Sequence, residues 1–271
     1  MQYEYNPHDQ LEINLSAACE VVVYATNDNS LVVDVEGDDA DKVNVNFNGR
    51  TLEIKHEGHN SGGISIGNVV MNGGDSWTNI GRGVVMSGIS MGQNTVISGN
   101  NIHISGGSGS VYVNGKRIDL DEAGENYTPT KVSVYVPEGL ETSLDAEITG
   151  TGMLRSNVYF EEAYINSQGH TGVSLSTASL QAQVSGSGDL DASIYGGDLS
   201  VSVSGSADVR VNGNMSRATV QVSGSGDVYT CGTCQGNYSA SVSGSGDIRH
   251  QGQVLGKVRK SVAGSGSVRV G

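Results

Sequence analysis

The chain has 271 residues, with 40 glycines, 3 prolines and 5% aromatic residues, a composition that favours short strands and tight turns over packed helices. Fifteen lysines and arginines stand against 29 aspartates and glutamates, and the formal net charge of −14 opposes a phosphate backbone and excludes nucleic acid as a partner. No apolar run reaches the length of a membrane-spanning helix, and Met1 leads into QYEYNPHDQ without an apolar signal segment, so either an export signal has been removed or the protein never carried one.

Residues 1–60 alternate apolar and polar side chains, as in LVVDVEGDDADKVNVNFNGRTLEIKHEG, and form a strand-rich segment expected to run on into the rest of the fold. Residues 61–115 stand apart. Between Ser61 and Ser110 the only formal charges are Asp75 and Arg82, and glycine, asparagine and methionine fill the stretch. Ser87-Gly88, Ser98-Gly99 and Ser105-Gly106 resemble corners of further coil or hairpin. In so acidic a chain an uncharged surface also suits an interface, because charge depletion marks interface centres. Met71, Trp77, Met86 and Met91 are its candidate contact residues, and self-association or a larger assembly through 61–110 is the expectation.

From 116 onward a repeat takes over. QVSGSGDLDAS at 183–193 returns as VSVSGSADVRV, VQVSGSGDVYT, ASVSGSGDIRH and the worn SVAGSGSVRV, with Gly186, Gly205, Gly224, Gly244 and Gly264 spaced by 19, 19, 20 and 20 residues. A fixed period of that size means stacked supersecondary units. A leucine-rich repeat would need its leucine signature and a helical segment, and neither is present. The alternative is an all-β β-helix with about 19–20 residues per coil, which needs only strands and corners. Val184, Val203, Val222, Val242 and Val262 then form one inward column, and Leu190, Val209, Val228, Ile248 and Val268 another, at roughly 4.8 Å per coil. Ser202 and Gln221 point outward. Weaker corners at TGTG (149–152) and SQGHTG (167–172) extend the stack backward, and the solenoid is expected to start near residue 131.

Asp189, Asp208, Asp227 and Asp247 form a column of carboxylates one coil apart, which repel one another unless hydrogen-bonded or bridged by a cation. Turn capping is the expectation, since serine and aspartate satisfy unpaired N–H groups at corners. Weak calcium binding is the alternative, although the ligand spacing of the calcium-binding Gly-Gly-x-Gly-x-Asp solenoids is not reproduced. Cys231 and Cys234 have CxxC spacing, which serves zinc, redox chemistry or a small-loop disulfide. For zinc, only His250 falls nearby, one coil beyond Thr230, so a structural corner is expected and no cofactor is assigned. Arg249, Lys257, Arg259, Lys260 and Arg269 gather at the last coil, where charge guards strand edges against end-to-end pairing.

The VSGSGD copies, the closing AGSGSVRV, KVSVYVPEGLETSLDAEITGTG at 131–152 and the N-terminal LVVDVEGDDADKVNVNFNGRTLEIKHEG together resemble the putative auto-transporter adhesin, head GIN domain family of bacterial envelope proteins. The resemblance implies a right-handed, single-stranded β-helix (β-solenoid) in secreted or lipid-anchored proteins and supplies no catalytic residues. The length of 61–115 departs from it. The expected role is a non-enzymatic, adhesin-like or structural module of the bacterial envelope or extracellular space, binding a protein or a surface glycan. A phage or virion protein assembled without export is the alternative, and a carbohydrate-active enzyme the third. Catalysis lacks support, because the outer positions read mostly as serine, glutamine, asparagine and threonine, and no HExxH, GxSxG or nucleotide loop occurs.

Overall fold

In the computed structural model, residues 1–7, 9–37, 39–56 and 129–271 are described in full. Between residues 57 and 128 the description is of the backbone of strands alone. Contacts divide the chain into two compact units, Met1–His56 with Thr130–Gly271, and Glu57–Pro129.

The first unit is a β-solenoid built on one 19-stranded sheet, with about seven turns in the C-terminal half. Each turn has two walls. Wall A carries Asp198–Gly205, Arg217–Gly224, Tyr238–Gly244 and Val258–Gly264, stacked parallel in that order. Wall B carries Asp189–Tyr195, Asp208–Asn214, Val228–Cys231, Asp247–Gln251 and Ser267–Val270, also parallel. A short third side is marked by bridges linking Met215, Cys234 and Val254. The longer strands Met153–Gly169 and Gly172–Gly186 bend through the corner and serve both walls.

The period-2 alternation is realised as expected. Val203, Val222, Val209 and Val228 are 1–2% exposed, whereas Ser202 and Gln221 face solvent. In-register stacking places each valine against its counterpart one coil away, so the columns form a continuous core. Gly205 shows why the corner repeats. Its φ of +120° suits glycine, and a Cβ there would lie 2.5 Å from the Gly186 carbonyl oxygen of the coil before. That carbonyl accepts the N–H of Ser206 at 2.7 Å, and Gly205 does the same for Ser225 at 2.8 Å. The corner is therefore both a turn and a rung, and the glycine column runs back through Gly169 and Gly150, through the two weak corners of the sequence.

The first coils are woven from two separate parts of the chain. On wall A, Gln10–Ala17 pairs with Glu141–Gly150 on one side and Thr51–His56 on the other. On wall B, Glu20–Thr26 sits between Lys131–Pro137 and Met153–Gly169. The stack accordingly begins before residue 131, because N-terminal strands fill positions that a single winding would leave open. Beyond them the sheet turns antiparallel: Val43–Phe47 lies on Thr51–His56, Leu31–Glu36 on Lys131–Pro137, and Gln2–Tyr5 on Leu31–Glu36.

The second unit alternates between two small sheets. Ile66–Gly67, Val85–Ser90 and His103–Ser108 run parallel in one. Trp77–Asn79, Thr95–Ser98 and Ser110–Val113 run parallel in the other, closed by Lys116–Asp119 antiparallel. Ser87-Gly88 and Ser105-Gly106 lie within strands rather than between them, since small residues are tolerated wherever a flat wall stacks closely on its neighbour.

Candidate functional site

Wall B begins at the aspartate column, and the carboxylates of Asp208, Asp227 and Asp247 are occupied by backbone. Asp208 Oδ1 accepts the N–H of Asp227 at 3.3 Å, Asp227 Oδ1 that of Asp247 at 2.8 Å, and Asp247 Oδ1 both the N–H and the hydroxyl of Ser267, at 2.8 and 2.9 Å. Asp208, Asp227 and Asp247 thus cap the next coil rather than their own turns. A donor is thereby placed between successive carboxylates, which offsets their repulsion. At the start of the column the Asp189 N–H goes to the Thr171 carbonyl at 2.8 Å. Asp208 and Asp247 also approach Arg210 and Arg249, at 4.0 and 3.8 Å. The Ser267 hydroxyl leads the causes that hold the Asp247 carboxyl below its ordinary range, with the Ser267 N–H, Arg249 and Arg269 adding to it. Among the described residues no three histidine, cysteine, aspartate or glutamate side chains converge as a metal site would require.

The two ends of the short third side use the same device with amides, which the sequence reading missed. Asn214 Oδ1 accepts the N–H of Thr233 at 3.1 Å, and Asn237 Oδ1 that of Lys257 at 3.0 Å. The two asparagines hold different positions in their coils, so no repeated spacing announced them.

Cys231 and Cys234 lie on different sides of their coil. Cys231 stands in register with the exposed Asn212 and Gln251. Cys234 is fully buried in the third-side column, its thiol directed at the carbonyls of Gly236 and Asn237 and its pKa raised, chiefly by burial. The CxxC spacing therefore brings no pair of thiols to a common site. Cys19, also buried, has its thiol pushed up to about 11 by desolvation, which makes it unreactive.

His250 sits one coil beyond Thr230, as expected, and faces inward. Its Nδ1 pairs with Thr230 Oγ1 at 2.9 Å, the same hydroxyl meets the Tyr238 hydroxyl at 2.8 Å, and the Tyr238 and His250 rings lie 4.7 Å apart. All three side chains are buried, which pushes Tyr238 up to about 12 and His250 below its ordinary value.

The outer surface of wall B holds what the strand pattern did not disclose. Tyr24 and Tyr135, in register on adjacent strands, stack with centroids 5.3 Å apart and planes 21° from parallel. Tyr159 and Tyr195 meet edge-on at 5.8 Å. A register shift between Arg155 and Tyr159 separates the pairs, and Asn157 there accepts the N–H of Ala25 at 2.8 Å. Tyr135, Tyr159 and Tyr195 remain 37%, 42% and 61% exposed. The outer positions are thus not uniformly short and polar, because register gathers aromatic residues distant in sequence onto one wall. Of the four candidate interface residues, Trp77 and Met86 fall in strands, whereas Met71 and Met91 lie outside the described residues.

The family model described as "Putative auto-transporter adhesin, head GIN domain" matches residues 92–271. No curated protein matches the chain. A putative adhesin from Bacteroides fragilis has a similar structure, with a TM-score of 0.50 at 13% identity, covering 99% of this chain and 95% of its own. A second putative adhesin, from Parabacteroides distasonis, has a TM-score of 0.52 at 16% identity, covering 100% and 96%. At these identities the two structures establish a shared fold.

Proposed function

The chain belongs to the putative auto-transporter adhesin, head GIN domain family, and from that premise we propose that it is a non-enzymatic binding module of the bacterial cell surface, with the tyrosine-bearing part of wall B as its contact surface. The observation that carries this reading is the pairing of rings, half-buried Tyr24 with exposed Tyr135 and exposed Tyr159 with exposed Tyr195, on a wall held in register over the core columns. Tyrosine supplies a large, rigid, amphipathic contact area at small entropic cost. Its ring lies against an apolar sugar face or a protein side chain, and its hydroxyl hydrogen-bonds at the rim. Ser176 and Ser193 continue the row of Tyr159 over the next two coils, short side chains that leave its ring accessible.

A surface glycan or a surface protein is the ligand class. The test is retention of labelled protein on intact bacterial cells and on immobilised cell-surface polysaccharides, compared with a Tyr135→Ser/Tyr159→Ser/Tyr195→Ser variant. The proposal expects retention to fall at least about tenfold in the variant while the melting temperature stays within a few degrees. Equal retention by the two proteins would remove the tyrosines from the contact surface. The same reading assigns residues 61–110 to self-association or partner binding, and light scattering after their deletion checks it: a folded monomer is expected from a larger parent.

A further inference from the structure

The charge of this chain is segregated along the solenoid. Residues 248–271 contain Arg249, Lys257, Arg259, Lys260 and Arg269 and no aspartate or glutamate. A net +5 therefore gathers in the last coil, and −19 is left on the remainder of a chain totalling −14. All five basic residues are exposed. Asp247 is the nearest acid, and it is engaged by Arg249 and Ser267. Measured along the stack, at about 4.8 Å per coil, the acidic N-terminal strands lie roughly 45 Å away. That is several Debye lengths at physiological ionic strength. The nearer acidic stretch, residues 161–205 with five acids and no lysine or arginine, begins about three coils, or roughly two Debye lengths, from the end, so the basic end presents its own field.

The same end is apolar at its centre. Leu255, Val258 and Val262 are 61%, 41% and 46% exposed, and Val258–Gly264 and Ser267–Val270 have no further neighbour among the described strands. Lys260 is the informative residue. It stands in register with Val220 and Ala240, in a column that is apolar in every coil from Ala182 onward. One more coil, or a second copy laid end-on, would bury its ammonium among valines. A lysine with aliphatic neighbours and a free head suits a boundary where apolar stems lie down and charges reach anions.

We propose that the C-terminal end of the solenoid, formed by Arg249, Lys257, Arg259, Lys260 and Arg269 around Leu255, Val258 and Val262, docks end-on against an anionic lipid surface. The basic side chains meet lipid phosphates, the three aliphatic side chains settle at the headgroup boundary, and the free N–H and C=O groups of the last strands remain in the hydrated headgroup layer. Wall B and its tyrosines then stand along a rod directed away from the surface. This inference is independent of what the tyrosines bind. A second copy is disfavoured by like charge and by Lys260. An acidic protein, which would need a shape fitted to this end, is left as an outcome of the test.

The experiment is co-sedimentation of the full chain with phosphatidylcholine vesicles, without and with about 30 mol% phosphatidylglycerol. Binding only to the anionic vesicles, released by about 0.5 M salt, is expected. A Lys257→Glu/Arg259→Glu/Lys260→Glu variant keeps charge on the edge and so preserves any protection against aggregation. It should nevertheless lose vesicle affinity at least about tenfold. If that variant misfolds by circular dichroism, Lys257→Gln/Arg259→Gln serves in its place, with a loss of about threefold or more expected. Equal binding to neutral and anionic vesicles, or binding untouched by either variant, would overturn the proposal. Failure to bind anionic vesicles together with charge-dependent binding to poly-glutamate would overturn it too, and would give the end to an acidic protein.

Discussion

At the N-terminal end of the stack the rings of Tyr5 and Phe47 meet from opposite walls at 4.9 Å, and the antiparallel strands that carry them leave Leu11, Ile13, Leu52 and Ile54 at most 1% exposed. At the C-terminal end the apolar columns run out to Val258 and Val262 in the open, with Lys260 between them. A parallel stack has no means of ending itself, because every coil hands its columns to the next. One end is finished by reversing strand direction and covering the columns with aromatic rings. At the other, Lys260 places a charge where a further coil would need an apolar side chain.

The largest contrast follows within a single column. Val222→Asp places a carboxylate among buried valines and is expected to cost roughly 3–5 kcal/mol, whereas Val262→Asp at the open end should change stability by under about 0.5 kcal/mol. Outward Gln221→Asp should be equally quiet. Thermal melts of the three variants decide this, and comparable losses at 222 and 262 would mean that the open end is covered. Truncating the closing ring, Phe47→Ala, is expected to cost about 2–3 kcal/mol, below the fully buried case because Phe47 is only partly buried. Removing the guarding charge works the other way. Lys260→Val leaves the monomer about as stable but raises self-association, read by light scattering as growth in particle size with concentration.

A smaller effect comes from His250, just inside the open end. Burial holds its pKa below the ordinary value, so the unfolded chain takes up the proton first. The stability contributed by the neutral ring is fully present above about pH 6.5 and is lost as pH falls below that toward the folded-state value. Tyr238, its ring neighbour, ionises far higher, and Asp247, held low, changes only at more acidic pH. Melting temperature should therefore drop between about pH 7 and 5, and a His250→Phe variant should flatten that drop. Asp227→Asn is expected to be the quietest, within about 0.5 kcal/mol, since Asn214 and Asn237 already perform the same cross-coil capping. Added calcium should leave the melting temperature unchanged. A calcium-dependent rise lost in Asp227→Asn would make the column a cation site.

The part of the fold that repeats was legible in sequence. Five valines at fixed spacing state the period, the inward face and the corner together, and Gly205 explains why that corner tolerates so little else. The woven first coils were not legible, because Gln10–Ala17 and Glu20–Thr26 carry no copy of the corner motif, and alternation assigns a face without assigning a neighbour. The tyrosine wall escaped for the same reason. Tyr24 and Tyr135 are brought together only by the register of strands more than a hundred residues apart. Lys260, by contrast, was visible as one member of a basic cluster, but its position in an apolar column needed the stacking to be seen.

Hydrogen exchange read by mass spectrometry across the coils tests this picture of a stack closed at one end and open at the other. Peptides spanning Val258–Val270 should exchange fastest among the wall strands of the solenoid, those of Asp198–Gly224 slowest, and those of Gln10–Ala17 and Thr51–His56 should be nearly as protected as the middle. Protection of Val258–Val270 equal to that of Asp198–Gly224, or rapid exchange in Gln10–Ala17, would contradict it.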